Sequence, residues 1–391
     1  MRGFRVSGML AVLALVLVTA AAPAVAPARP YLPPPGKVFA GLTGGTRVGP
    51  YQRMVGKHPP VFEIFMRWNT PTGWLAAPNR GLRTRLALHI GTASGYGGAG
   101  VISPEAIALG RSDRFLVALG RNLAHQGRIT YIRLMAEMNG YWNAYAAFNG
   151  DGSSRGVGNS PYFYTQAWRR SVLILRGGRV GVIDRRLRSL GLPPVWERLS
   201  PRARLARPKV AFLWVPQDAG SPDILGNSPA AFWPGGAYVD WVGTDFYASY
   251  PNFALLDGYM SMFPGKPFVL SEWALYGADD PRFVAQLFAW ARAHPRVRML
   301  NYYQGFTAGA LPNLGHYPRS RRVLRARLRA ARFPAYAPEY AHPRRHHRHH
   351  KPPPERPPLP PGPAQPPTPV RPPPGPGPPR LCLPLLTCLP L

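Results

Sequence analysis

Eight apolar runs of strand length recur between residues 37 and 305, and helix-like segments separate several of them. The runs are KVFAGLTG (37–44), VFEIFMRW (61–68), RLALHIG (85–91), ITYIRLMAE (129–137), KVAFLWVP (209–216), YVDWVGTDFY (238–247), PFVLSEW (267–273) and RVRMLNYYQG (296–305). Most are near-continuously apolar, without strict alternation, as expected of strands covered on both faces. Between them, SPEAIALGRSDRFLVALGRNLAHQG opens with Ser103 as N-cap, Pro104 in the first turn and Glu105 beside it. PYFYTQAWRRSVLILRGG ends in Gly177–Gly178, and DPRFVAQLFAWARAHP starts at an Asp and stops at a Pro. Eight strands alternating with helices predict a (β/α)8 (TIM) barrel, an α/β fold. An open doubly wound sheet is the alternative, but no G-x-G-x-x-G follows the first run.

The flanks have a different composition. Residues 1–28 read as a secretory signal: Arg2 and Arg5 form the positive end, Met9 to Ala22 the apolar stretch, and small residues follow. An uncleaved anchor is the alternative reading. The barrel domain is expected over 29–333. Residues 334–391 are rich in Pro, Arg and His and read as a disordered, extended tail that cannot form a packed core. The tail histidines (His342, His346, His347, His349, His350) have no carboxylate or cysteine beside them, which favours a titratable spacer over a metal site. Cys382 and Cys388 both lie in the last ten residues, so the predicted barrel contains no disulfide.

The formal charge is +31, with 48 basic residues against 17 acidic ones. No zinc-finger spacing, basic zipper or RNP-like motif accompanies it, so nucleic acid is not the expected partner. A basic exported chain is expected to meet an anionic cell envelope or polysaccharide, with the tail as the point of contact.

Against this basic background, Glu137 and Glu272 are conspicuous. Each stands at the close of an apolar run, and runs four and seven lie nearly opposite one another in an eight-stranded barrel. Barrel chemistry takes place where strands end. Two facing carboxyl groups are the minimum apparatus for cleaving a glycosidic bond.

The surrounding residues add a resemblance. R-x-x-x-E-M-N-G-x-W (Arg133, Glu137, Met138, Asn139, Gly140, Trp142) is similar to the acid/base segment of glycoside hydrolase family 26. FWPGGAYVDWVGTDFY (232–247) resembles that family's sixth-strand signature, and FVLSEWAL (268–275) its nucleophile strand. The resemblance implies a retaining endo-β-1,4-mannanase-like enzyme without cofactor or metal, acting on β-mannan or a related polysaccharide. In it Glu137 is the acid/base and Glu272 the nucleophile. Tyr247 bonds the nucleophile, Arg133 holds a carboxylate, and Asn139 and Asp245 line the substrate site. Trp68, Trp142, Trp214 and Trp273 are candidate sugar-stacking platforms. Each residue also has a plainer reading: a capping glutamate, a core tryptophan, Asp245 as a structural acceptor, Arg133 as the partner of a buried charge.

Two departures bear on activity. Ala136 stands where the family has His before its acid/base, and Tyr302, Tyr303 and Gln304 stand where a stacking tryptophan is typical. A carbohydrate-binding barrel with weak or lost catalysis is therefore the second reading, and an envelope protein acting through its tail the third.

Overall fold

The structure, a computed structural model, describes residues 30–341 apart from 46, 77–80, 95–97 and 196–198. The predicted signal, the histidine cluster and both cysteines lie outside the described residues. No helix among the described residues is long and apolar enough to cross a membrane.

Each of the eight runs contains one barrel strand. They are β1 (Phe39–Thr43), β2 (Val61–Arg67), β3 (Arg85–Gly91), β4 (Thr130–Leu134), β5 (Val210–Trp214), β6 (Trp241–Tyr247), β7 (Phe268–Ala274) and β8 (Val297–Tyr303). Every neighbouring pair is parallel, and β8 closes on β1. The helices are α1 (Val48–Val55), α2 (Pro104–Ala108), α3 (Asp113–Gln126), α4 (Pro161–Arg176), α5 (Val180–Ser189), α6 (Phe253–Met262), α7 (Pro281–Ala293) and α8 (Pro318–Leu328). Ser103 caps α2 by accepting from Ala106 N at 3.1 Å. The single long segment expected after it divides into α2 and α3 around Gly110, whose φ is +88°.

Two apolar layers explain why the runs look continuous. Outward-facing side chains such as Leu42, Leu88, Ile132, Val242 and Leu270 pack under the helices. Inward-facing ones form a separate plug to which every strand contributes: Phe39, Val61, Ala87, Tyr131, Leu213, Trp241, Val269 and Met299. With both faces covered, a strand has little room for polar residues.

The packed body continues past Phe333 to residue 341. Ala337 is fully buried within the inner plug, with Tyr31 and Tyr340 against it. Glu339 reaches under the barrel to Arg85, with Oε1 accepting from Nε at 2.8 Å and Oε2 from Nη2 at 3.0 Å. Arg85 Nη1 also donates to Tyr131 Oη at 2.6 Å, and Trp241 Nε1 donates to Pro30 O at 2.6 Å. The segments flanking the barrel thus seal its floor, and the floor is where the Pro-rich composition begins to mislead.

Burial opposes the charge of Glu339, but the bonds and charge of Arg85 hold its carboxyl below the usual range. That contribution to stability is present above the ordinary glutamate range and lost as pH falls through the depressed folded value. Glu339→Ala is expected to cost about 2–3 kcal/mol at pH 7 in chemical denaturation, less than for a fully enclosed pair because the Glu339 side chain is 33% exposed. The loss should shrink at pH 3.

Candidate active site

Two irregular stretches of backbone place the chemical groups at the C-terminal mouth. On β4, Tyr131 belongs to the inner plug and Arg133 points inward two residues on. Alternation would put Met135 inside, but Met135 has φ +42° and Glu137 φ +51°. Left-handed backbone at two non-glycine residues costs roughly 1–2 kcal/mol each. It changes the phase, so that Ala136 enters the inner plug and Met135 packs outward. Glu137 lies three residues beyond the end of β4, further than its position at the close of the run suggests. Its backbone is pinned there: N donates to Val215 O at 2.7 Å, and O accepts from Asn143 Nδ2 at 2.8 Å.

On β7 the device is an extra residue. Thr244 pairs with Leu270, yet Asp245 pairs with Glu272, so Ser271 has no partner of its own on β6. The bulge directs both Ser271 and Glu272 to the polar cluster, a familiar use of bulges near sites.

The cluster centres on Arg133. Its Nη1 donates to Glu63 Oε1 at 2.9 Å and to Glu272 Oε1, and its Nη2 donates to Asp245 Oδ2. Ser271 Oγ donates to Glu63 Oε2 at 3.0 Å, and Tyr247 Oη to Glu272 Oε2 at 2.6 Å. Glu137 accepts from Trp142 Nε1 at 2.8 Å and from Gln217 Nε2. The carboxyls of Asp245 and Glu137 interact directly, which raises the affinity of Asp245 for a proton and lowers that of Glu137.

Four carboxyl groups therefore surround one guanidinium in a dry setting. Burial, aided by the charge of Glu272, pushes Glu63 up to about 7 although Arg133 opposes it. Burial likewise raises Glu137 and raises Asp245 well above the usual range. Burial also works against the charge of Arg133, but Asp245, Glu272, Glu63 and Glu137 together hold it firmly protonated. His89, half-buried on β3, is kept neutral by burial and by Arg133. Its Nδ1 lies 3.1 Å from Arg133 Nη1. Arginine only donates, so Nδ1 accepts and Nε2 carries the ring proton. Ligand atoms of Glu63, His89 and Glu272 lie within 4.8 Å of one another, the spacing of a metal site. Arg133 Nη1 contacts all three, so the position a cation would take is filled by the guanidinium.

Of the residues expected from sequence, Glu137, Glu272, Arg133, Asp245 and Tyr247 meet here, and Trp142 lies over Glu137 with 44% of its surface exposed. Gly140 makes this approach possible, since a Cβ there would stand 2.4 Å from the indole. Asn139 is corrected from substrate contact to support. It is fully buried, donating to Gln217 O and Ala219 O and accepting from Gln217 N at 2.8 Å. It thereby holds the loop whose Gln217 reaches Glu137.

Three proposed stacking residues are also corrected. Trp68 packs on Phe115, Trp214 between Trp233 and Phe263, and Trp273 against Tyr302 and Phe288, all buried beneath helices. Each sits on the outward phase of its strand. Sequence reasoning missed Glu63, His89, Ser271 and Gln217. Glu63 carried the signal used for Glu272, a carboxylate within an apolar run. The rim beside His89 is aromatic, with Phe65 4.7 Å from the imidazole and 5.0 Å from Phe306. Tyr302 is buried on the outward face of β8 against Tyr51 and Trp273, and donates to Pro312 O at 2.8 Å.

No protein-family model matches the chain, and no curated protein matches it. Solved structures share its fold. An endo-β-1,4-mannanase double mutant from Cellulomonas fimi aligns over 76% of this chain and 72% of its own, with 16% identity and a TM-score of 0.52. The catalytic domain of a GH26 endo-β-1,4-mannanase from Bacillus sp. JAMB-750 aligns over 77% and 87%, with 14% identity and a TM-score of 0.50. At these identities the likeness establishes the barrel.

Because Glu63 is pushed up to about 7, the folded chain binds more protons than the unfolded one between the ordinary glutamate range and that value. Stability should fall as pH rises through this window, by about 3 kcal/mol from Glu63 alone. Denaturation of Glu63→Gln at pH 5 and pH 7 should show a shallower fall than wild type. An unchanged slope would contradict the assignment.

Proposed function

We propose that this chain is a retaining glycoside hydrolase acting on a neutral β-linked polysaccharide of mannan type. The observation carrying this reading is the unequal treatment of two carboxyl groups at one barrel mouth. Glu272 is held by a guanidinium and a phenol, one donor on each carboxylate oxygen. Glu137 has its affinity for a proton raised by burial and by the charge of Glu272. One group is prepared to attack and the other to donate, the division of labour that glycoside cleavage requires.

In the first step Glu272 attacks the anomeric carbon, the glycosidic C–O bond breaks, and Glu137 transfers its proton to the departing oxygen. A glycosyl ester on Glu272 results. In the second step Glu137 takes a proton from water as that water attacks the same carbon. The ester bond breaks, releasing Glu272 as carboxylate and a sugar with its starting configuration. The exposed face of Trp142 serves as a stacking surface beside Glu137, and the Phe65–Phe306 rim offers a second. Neutral His89, from the strand beside β4, stands near Glu272 and supplies an imidazole that Ala136 cannot. Export through residues 1–28 and retention at an anionic envelope through the basic tail complete the proposal.

The rival reading, a binding barrel without turnover, draws on Ala136, which is buried in the inner plug and reaches neither carboxylate. A panel of β-mannan, mixed-linkage β-glucan and xylan separates the two. Wild type should release reducing ends from at least one polymer with retention of anomeric configuration by NMR. Glu272→Ala should abolish release, and Glu137→Gln should slow it about 10²–10⁴-fold. Binding of a polymer without reducing ends would favour the rival.

A second expectation concerns pH. The Trp142 N–H stabilises ionised Glu137. Trp142→Phe removes that bond but keeps an aromatic face, so Glu137 should lose its proton at higher pH. The basic limb of the kcat/KM profile should move upward, and an unmoved limb would detach Trp142 from the acid.

A further inference from the structure

Between α4 and β5 the chain leaves the barrel pattern for about thirty residues, and this excursion gathers arginines. Gly178–Arg179 pairs antiparallel with Arg204–Leu205, and α5 runs alongside. Together with the end of α4 they enclose a cavity of about 240 Å³ whose lining includes Arg176, Arg179, Arg186, Arg204 and Arg207. Among the described residues the lining contains no acidic side chain. Arg176 is tied down by Asp240 Oδ1 at 2.8 Å and Ala237 O at 2.7 Å.

The ribbon adds an observation that points to a ligand. Arg179 and Arg204 are directly opposite each other. Like charges in that position destabilise a two-strand pair, and a bound anion between them reverses the sign. The backbone also yields to the cavity: Gly178 has φ +120°, and a Cβ there would stand 2.9 Å from Arg207 Nη2. The left-handed backbone at 178 favours glycine, and the Arg207 guanidinium lies beside it.

We propose that this cavity binds phosphate groups of a phosphate-bearing polymer. Planar guanidinium forks match the paired oxygens of phosphate, and several forks around one open cavity suit consecutive phosphates better than a single small ion. The cavity is remote from the mouth. α4 follows β4 and runs back toward the floor, and Asp240, which holds Arg176, immediately precedes β6. A polymer bound here leaves the carboxylate cluster open, so the site anchors the barrel without competing at Glu137 and Glu272.

Tripolyphosphate is the probe, titrated into the full chain at constant ionic strength set with chloride and read by hydrogen exchange with mass spectrometry. Saturable protection is expected in peptides covering 177–186 and 203–208. Arg204→Gln/Arg207→Gln should raise the half-saturating concentration at least ten-fold. Arg321→Gln/Arg325→Gln is the control, since it removes equal charge from another arginine-lined cavity, of about 470 Å³, between α1 and α8. That variant should change half-saturation less than two-fold. Inorganic phosphate protecting the same peptides only at much higher concentration supports the polymer assignment, and equal potency of the two overturns it. Absent protection, or equal weakening by both double variants, overturns the site. None of these readouts uses hydrolysis, so they stand apart from the reading of the mouth.

Discussion

A guanidinium buried where four carboxyl groups converge governs this molecule. An unpaired cation in a protein interior costs several kcal/mol, and Arg133 has essentially no access to water. It is tolerated because Glu63 on β2, Asp245 on β6 and Glu272 on β7 each bring an oxygen to it. The same bonds tie four of the eight strands together at the mouth. Closing the barrel and ordering the cluster are thus one event. Arginine is specifically suited to this: a lysine presents a single point of charge and cannot serve three carboxylates in a plane.

The guanidinium does not neutralise everything around it, and the proposed hydrolysis draws on that shortfall. With His89 neutral, four carboxyl groups face one positive charge. Burial raises the affinity for a proton at Glu63 and Asp245, which Arg133 reaches, and at Glu137, which it does not. Glu137 has no hydrogen bond to Arg133, and burial with the charge of Glu272 raises its affinity for a proton against the opposing contact of Asp245. Glu272 is fixed instead by two donors, Arg133 Nη1 on Oε1 and Tyr247 Oη on Oε2. Two residues of one chemical type are thereby driven toward opposite roles by their neighbours.

Much of the fold was legible because its cause is local. Burial on both faces writes an apolar run wherever a strand passes, and all eight runs hold a strand. The turn from β4 to Glu137 was not legible, because left-handed Met135 and Glu137 and the bulge at Ser271 violate the regular period on which the reading relies. Such violations concentrate where a side chain must be re-aimed. The tryptophans misled for a related reason. Trp68, Trp214 and Trp273 look like platforms in a motif, but strand phase turns them toward the helices, and phase is lost at an unseen bulge. Glu63 was visible as a lone carboxylate in an apolar run, yet its meaning depends on Arg133, 70 residues away. Proline-rich composition likewise hid the segment around Ala337, whose place in the floor comes from a long-range ion pair.

In the proposed reaction Glu272 is the group that bonds to sugar. The most direct measurement is incubation with a panel of 2-deoxy-2-fluoroglycosides bearing activated leaving groups, followed by intact mass and peptide mapping. A single glycosyl adduct on Glu272 is the predicted result. Turnover of a polysaccharide with no adduct, or an adduct on another carboxylate such as Glu63 or Asp245, would contradict it.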